Sequence, residues 1–154
     1  MKKNDRMAAF VQELTADQAS VHDPCYLGYF LCFNRGEYYE AHDVLEHLWL
    51  QGETADSNFY KALIQIAGAY VHLKKQYLRP HHHKDGRRLR PAVRLFALGR
   101  ENLRPYLPRH QELDVAGVSE LCEKMMDRIE SSGFQQNPWR PETAPQLALR
   151  LPSD

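Results

Sequence analysis

Apolar residues return at spacings of three and four along most of this chain, and that spacing predicts helices. Met7, Phe10, Val11 and Leu14 mark a first, weakly amphipathic helix over residues 5 to about 20. Asp23-Pro24 reads as a helix start, with Asp as N-cap and Pro at the first helical position. Tyr26, Leu27, Phe30, Leu31 and Phe33 carry that helix to Asn34-Arg35-Gly36, where Gly36 suits a left-handed C-cap. The next helix begins at Glu37 and runs to about Leu50, and so short a connection makes the two antiparallel neighbours. Asp56 or Ser57 then caps a helix to about Leu78. One stripe of it holds Phe59, Leu63, Ile66, Tyr70, Leu73 and Tyr77, and a second, polar stripe holds Lys61, Gln65, His72 and Gln76. Gly68 and Ala69 leave room for close approach on the same helix. A loop with His81, His82 and His83 follows Arg79-Pro80. A helix resumes near Asp85 and carries Leu89, Val93, Phe96 and Leu103, with Pro91 either kinking it or marking its true first turn. Asp114 caps the last helix, which turns Val115, Val118, Leu121, Cys122, Met125 and Ile129 inward before Ser132-Gly133 closes it.

The pattern predicts an all-α fold: an antiparallel helical bundle of about four to five helices. It is expected to be one domain over residues 1–154, with a helical core over 5–133 and a proline-rich C-terminal tail over 134–154. Trp139, Leu147, Leu149 and Leu151 suggest that the tail is laid over the bundle. No stretch shows the alternation of a strand, and there is no internal repeat.

The stretch YYEAHDVLEHLW, Tyr38 to Trp49, organises the rest. At about 100° per residue, Tyr38, Ala41, Leu45, Leu48 and Trp49 share a face, with His42 in its middle and Glu46 roughly 40° aside. Glu40, Asp43 and His47 are expected to point the other way. A His and a Glu directed at an apolar core are costly unless paired, hydrogen-bonded or bound to a metal. His42 is therefore expected to be mostly buried, with Glu46 accepting its proton and either a donor such as the Gln65 amide or a metal at its other nitrogen.

Charge changes this picture little. Acidic and basic residues number 20 each, but the segment from Arg79 to Arg109 holds nine basic and two acidic residues, +7 against −7 elsewhere. Such asymmetry marks either an anion-binding face or, more commonly, a solvated helix face balanced by acidic neighbours in the same fold. Cys25, Cys32 and Cys122 form no CxxC pair and read as buried small hydrophobes in a reducing compartment. With no signal-peptide run and no apolar stretch long enough to span a bilayer, the expectation is a soluble cytoplasmic protein without a membrane partner. His42 and His47, about 140° apart on a helix, cannot both bind the zinc of a protease-like string.

FNRGEYYEAHDVLEHLW and ALIQIAGAYVHL together resemble the domain-of-unknown-function 309 family, whose members are small helical bundles. Phe33, Asn34, Gly36, Tyr38, His42, Glu46 and Trp49 fit the first part of its motif, and Gln65, Ala69 and His72 the second. Asp43 stands where the family more often has Glu. The resemblance is specific over residues 27 to 74 and looser to about 131. It implies a fold and a set of signature positions, with no reaction attached.

Three functional readings follow. The polar set Tyr38, His42, Glu46, Gln65 and His72 is either a structural network or a ligand site between the helix 37–50 and the helix after Asp56. As a metal centre it would use His42, Glu46 and His72 for a divalent ion such as zinc, with Gln65 as an orienting group and a metal-dependent hydrolase as the enzymatic version. The third reading, anion or nucleic-acid binding, rests only on the basic segment over 79–109. Partner and oligomeric state, a homo-oligomer included, are open in the sequence, as is any cofactor.

Overall fold

Helix ends form where the sequence places its punctuation. The computed structural model describes residues 3–15 and 22–150. Among them are six α-helices: α1 (Lys3–Thr15), α2 (Pro24–Asn34), α3 (Tyr38–Trp49), α4 (Ser57–Leu78), α5 (Leu89–Leu103) and α6 (Val115–Ser131). Six exceeds the expected bundle of about four to five, and the short α1 contacts α2 and α3. Its reach beyond Thr15, the Leu14 side chain and Leu151 lie outside the described residues. Asp23 caps α2 by accepting the Cys25 N–H at 2.8 Å, and Asp114 caps α6 by accepting the Gly117 N–H at 2.9 Å. Pro91 sits in the first turn of α5. Gly36, at φ 75°, closes α2: its own N–H bonds Phe33 O and the next, from Glu37, bonds Cys32 O, the paired bonds of a Schellman turn.

The sequence predicted no strand, yet a small hairpin joins α5 to α6. Its strands are β1 (Arg109–His110) and β2 (Leu113–Asp114), paired antiparallel with Arg109 opposite Asp114. The two-residue turn is Gln111-Glu112, at φ 46° and 61°. Both residues lie in the left-handed region that a hairpin turn of this length favours, but without the Asn-Gly usually found there. Strands of two residues are too short to show a period.

α3 packs against α2 and α4, and α5 against α4 and α6. Aromatic rings fill the junction. Tyr38 stacks on Tyr70 at 5.1 Å, and Phe33 and Phe96 set their edges against Tyr70 at 5.3 and 5.2 Å. Tyr29 donates its hydroxyl to Leu63 O at 2.8 Å. The Tyr70 hydroxyl is buried with no partner among the described residues, a cost of roughly 1–3 kcal/mol that nothing here explains. All three cysteines are free and buried, and burial pushes each thiol up to about 12. Residues 134–150 return across the helices, burying Trp139 and Leu147.

Candidate functional site

α3 buries Tyr38, Ala41, Val44 and Leu45. Val44 rotates the centre of the buried face away from His42, which was expected in its middle. His42 and Glu46 lie at the edge of that face, and each side chain is 31% exposed. His42 is thus partly buried at the rim of the apolar face, and its expected place in the middle of that face is corrected. So is the expectation for Asp43: its carboxylate, rather than pointing away, stands 3.2 Å from His42 Nδ1. Glu46 Oε2 lies 3.9 Å from Nε2, on a different edge of the ring. Tyr39, 60% exposed, lies nearly parallel to the imidazole at 6.5 Å. Beside this face, a groove of about 400 Å³ runs between α1 and α3, lined by Arg6, Met7, Phe10, Tyr39, Glu40 and Asp43.

The other predicted site residues are engaged elsewhere. The Tyr38 hydroxyl accepts the Trp139 indole N–H at 2.9 Å, so it anchors the C-terminal segment. Burial raises its pKa, partly offset by that bond. Gln65 Oε1 accepts from Asn102 of α5 at 2.8 Å. His72 Nδ1 receives the Arg88 guanidinium at 3.1 Å, and Gln76 Oε1 accepts the Arg88 backbone N–H at 2.7 Å. The polar stripe of α4 thus meets α5 through Gln65 and the residue just before it, Arg88, through His72 and Gln76, where a site against α3 was expected. The sequence showed the stripe but not which neighbour it meets.

Arg88 also chelates Asp85 through Nε and Nη2, and Arg79 bonds the second Asp85 oxygen at 3.0 Å. The Arg88 hydrogen bonds, helped by the charges of Arg88 and Arg79, hold the Asp85 carboxyl below its ordinary range. Desolvation, with Arg88, Lys75 and Arg94 nearby, lowers the His72 pKa to about 4. The ring is therefore neutral, accepts at Nδ1, and sits in a positive field unfavourable to a divalent cation. Among the described residues no three His, Cys, Asp or Glu side chains are grouped to hold a metal ion. Within the triple-histidine loop, His82 Nδ1 accepts the Asp85 and Lys84 backbone N–H groups, while His81 and His83 are exposed.

Much of the basic segment is likewise committed. Arg79 and Arg88 hold Asp85, Arg100 reaches Glu123 at 3.1 Å, and Arg104 reaches Glu101 at 3.2 Å. Arg90 lies 4.1 Å over the Phe134 ring. Arg87 and Arg94 are exposed.

Two arrangements were missed. Asn34 holds Leu147 by both ends of its amide, Nδ2 to Leu147 O and Leu147 N to Oδ1, each at 2.7 Å. Its place in the motif was the only available signal. The second pins the hairpin: His110 Nε2 meets Asp56 at 2.8 Å, Gln111 Nε2 bridges Asp56 and the Tyr60 hydroxyl, and His22 pairs with Glu112. Asp56, read as a cap, makes no cap bond and serves this cluster instead. Partners up to 90 residues apart leave no local pattern.

No helix among the described residues is long and apolar enough to cross a membrane. No curated protein and no solved structure matches the chain. Residues 26–83 match the model of the family described as Domain of unknown function (DUF309), which bears out the resemblance read from Phe33, Asn34, Gly36, Tyr38, His42, Glu46 and Trp49.

Proposed function

We propose that this chain is a single antiparallel helical bundle with a proline-rich arm laid over it, working as a binding module. Tyr38, Gln65 and His72 brace its interior, and the open polar surface at His42, Asp43 and Glu46 meets a ligand. One observation carries this division. Tyr38, Gln65 and His72 each have a partner on another segment, Trp139, Asn102 and Arg88, whereas the neighbours of the His42 ring among the described residues, Asp43, Glu46 and Tyr39, all belong to its own helix and leave it partly open. One carboxylate beside each ring nitrogen, Asp43 at Nδ1 and Glu46 at Nε2, favours a cationic or donor-rich ligand over an anion. The neighbouring groove adds Tyr39 and an apolar floor of Met7 and Phe10.

The metal reading assigns one ion to His42, Glu46 and His72, and the guanidinium on His72 works against it. Thermal melts with and without zinc, manganese or iron separate the two. His42→Ala should cost only about 1 kcal/mol, the net worth of one partly exposed hydrogen bond to Asp43. The wild-type melting temperature should not respond to metal. A metal-dependent rise that His42→Ala abolishes replaces this reading with the metal one.

A further inference from the structure

The turn that carries the family motif also borders a cleft. It has a volume of about 230 Å³, and Arg35, Lys74, Tyr77, Trp139, Pro141 and Gln146 are among its walls. It lies where α2 and α4 end and the C-terminal segment crosses them. Two of its groups are cations. Arg35 is exposed, and neither it nor Lys74 has a carboxylate within ion-pair distance among the described residues.

Lys74 is only partly exposed, and its ammonium donates to Gly36 O at 2.9 Å. An ammonium has three protons to place, so two donors remain toward the cleft and solvent. The other polar groups there are largely taken. The Asn34 amide is used on Leu147, and Gln146 Nε2 donates to Asn34 O at 2.9 Å. Trp139 gives its indole N–H to Tyr38 and leaves its ring as wall, with Tyr77 set edge-on at 5.3 Å. Pro141 extends the apolar side.

We propose that this cleft binds a small organic carboxylate, an acid carried on a flat apolar body. Arg35 and Lys74 take the carboxylate, and Tyr77, Trp139 and Pro141 cover the body. Size sets the class: pockets for drug-sized ligands measure roughly 300–1,000 Å³, and this cleft, at about 230 Å³, is smaller. The helix dipoles oppose an anion only weakly. Each C-terminal end is equivalent to about half a negative charge, and the Schellman bonds already use the last carbonyls of α2. Two full positive charges outweigh that.

Phenylacetate and benzoate are the probes, with benzyl alcohol and benzylamine as controls. Binding is followed by the Trp139 indole N–H resonance in two-dimensional NMR, assigned with Trp49→Phe. A saturable shift is expected with the two carboxylates and not with the controls. Arg35→Gln should weaken binding about tenfold or more, as loss of a charge-assisted bond does, and leave the spectrum otherwise folded because the Arg35 side chain is exposed. Lys74→Gln should weaken it similarly. No saturable shift with either carboxylate at about 10 mM, equal shifts with benzyl alcohol, or undiminished binding in both variants would each overturn the proposal.

Discussion

The side-chain amide of Asn34 treats Leu147 as a strand partner would. It donates to the Leu147 carbonyl and accepts the Leu147 N–H, both at 2.7 Å, across 113 positions of sequence. Asn34 is also the last residue of α2, next to the glycine turn that starts α3. The residue that ends one helix therefore fixes the returning C-terminal segment to that end. Trp139 on Tyr38 and Asn137 on Leu73 O, at 2.9 and 2.8 Å, make further attachments along the same segment.

Asn34→Ala should release this attachment. It strands the N–H and C=O of Leu147, whose side chain is buried, and should cost about 1–3 kcal/mol in chemical denaturation. Limited proteolysis should cut between 140 and 150 faster in the variant than in wild type, while cleavage within α4 stays unchanged. Asn34→Asp should fall between, because it keeps the acceptor for Leu147 N–H and loses the donor. An Asn34→Ala protein as stable and as protease-resistant as wild type would show that apolar burial of Trp139 and Leu147 holds the segment by itself.

What the sequence disclosed was local. Asp23, Gly36, Asp114 and Gly133 announce helix ends through backbone chemistry confined to a few residues, and each lies at such an end in the structure. Trp139 and Leu147 stood out as apolar residues in a stretch without period, and both are buried. What it withheld was pairing. A helical wheel places Gln65 and His72 on one stripe, but whether that stripe meets α3 or α5 depends on the arrangement of helices around α4. His42 falls in the middle of the apolar face when Trp49 counts toward that face and Val44 does not. Val44 is fully buried and Trp49 only partly, and that single exchange moves the centre of the face. The cluster of Asp56, His110 and Gln111 is invisible locally because Asp56 lies more than 50 residues before the other two.

The contact between α4 and α5 depends on two glycines with opposite expected behaviour. A methyl at Gly99 would lie 2.7 Å from Ile66 Cγ1 and 3.3 Å from Ala62 O. Ile66 is fully buried and branched at Cβ, the atom that carries Cγ1, so it cannot easily swing aside. Gly99→Ala should destabilise by about 1–3 kcal/mol through overpacking, despite the better helix propensity of alanine. At Gly68 the nearest atom is Leu95 Cδ1 at 3.2 Å, the end of a flexible, partly exposed side chain. Gly68→Ala should be neutral or stabilise by up to about 1 kcal/mol. Denaturation of the two variants side by side tests the packing. If Gly99→Ala also stabilises, α4 and α5 do not approach as closely as described.

His72 makes stability depend on pH in a window that its pKa defines. In the folded protein the value falls from 6.5 to about 4, first through burial and then through Arg88, Lys75 and Arg94. The lowered value means that, between these pH limits, the unfolded chain binds a proton the folded one refuses. Stability therefore rises with pH across the window and is lost on acidification from about 6.5, levelling off near 4 where both forms are protonated. The charged ring would also push against the Arg88 guanidinium that now donates to Nδ1 at 3.1 Å. His72→Gln isolates this effect, because a Gln carbonyl can still accept from Arg88 but does not titrate. Unfolding free energies of wild type and His72→Gln, measured from pH 7.5 to 4, should diverge steadily below about 6.5, with wild type losing more. Curves that stay parallel would mean that the ring is protonated as readily in the folded protein as in the unfolded chain, and that Arg88 does not occupy its acceptor nitrogen.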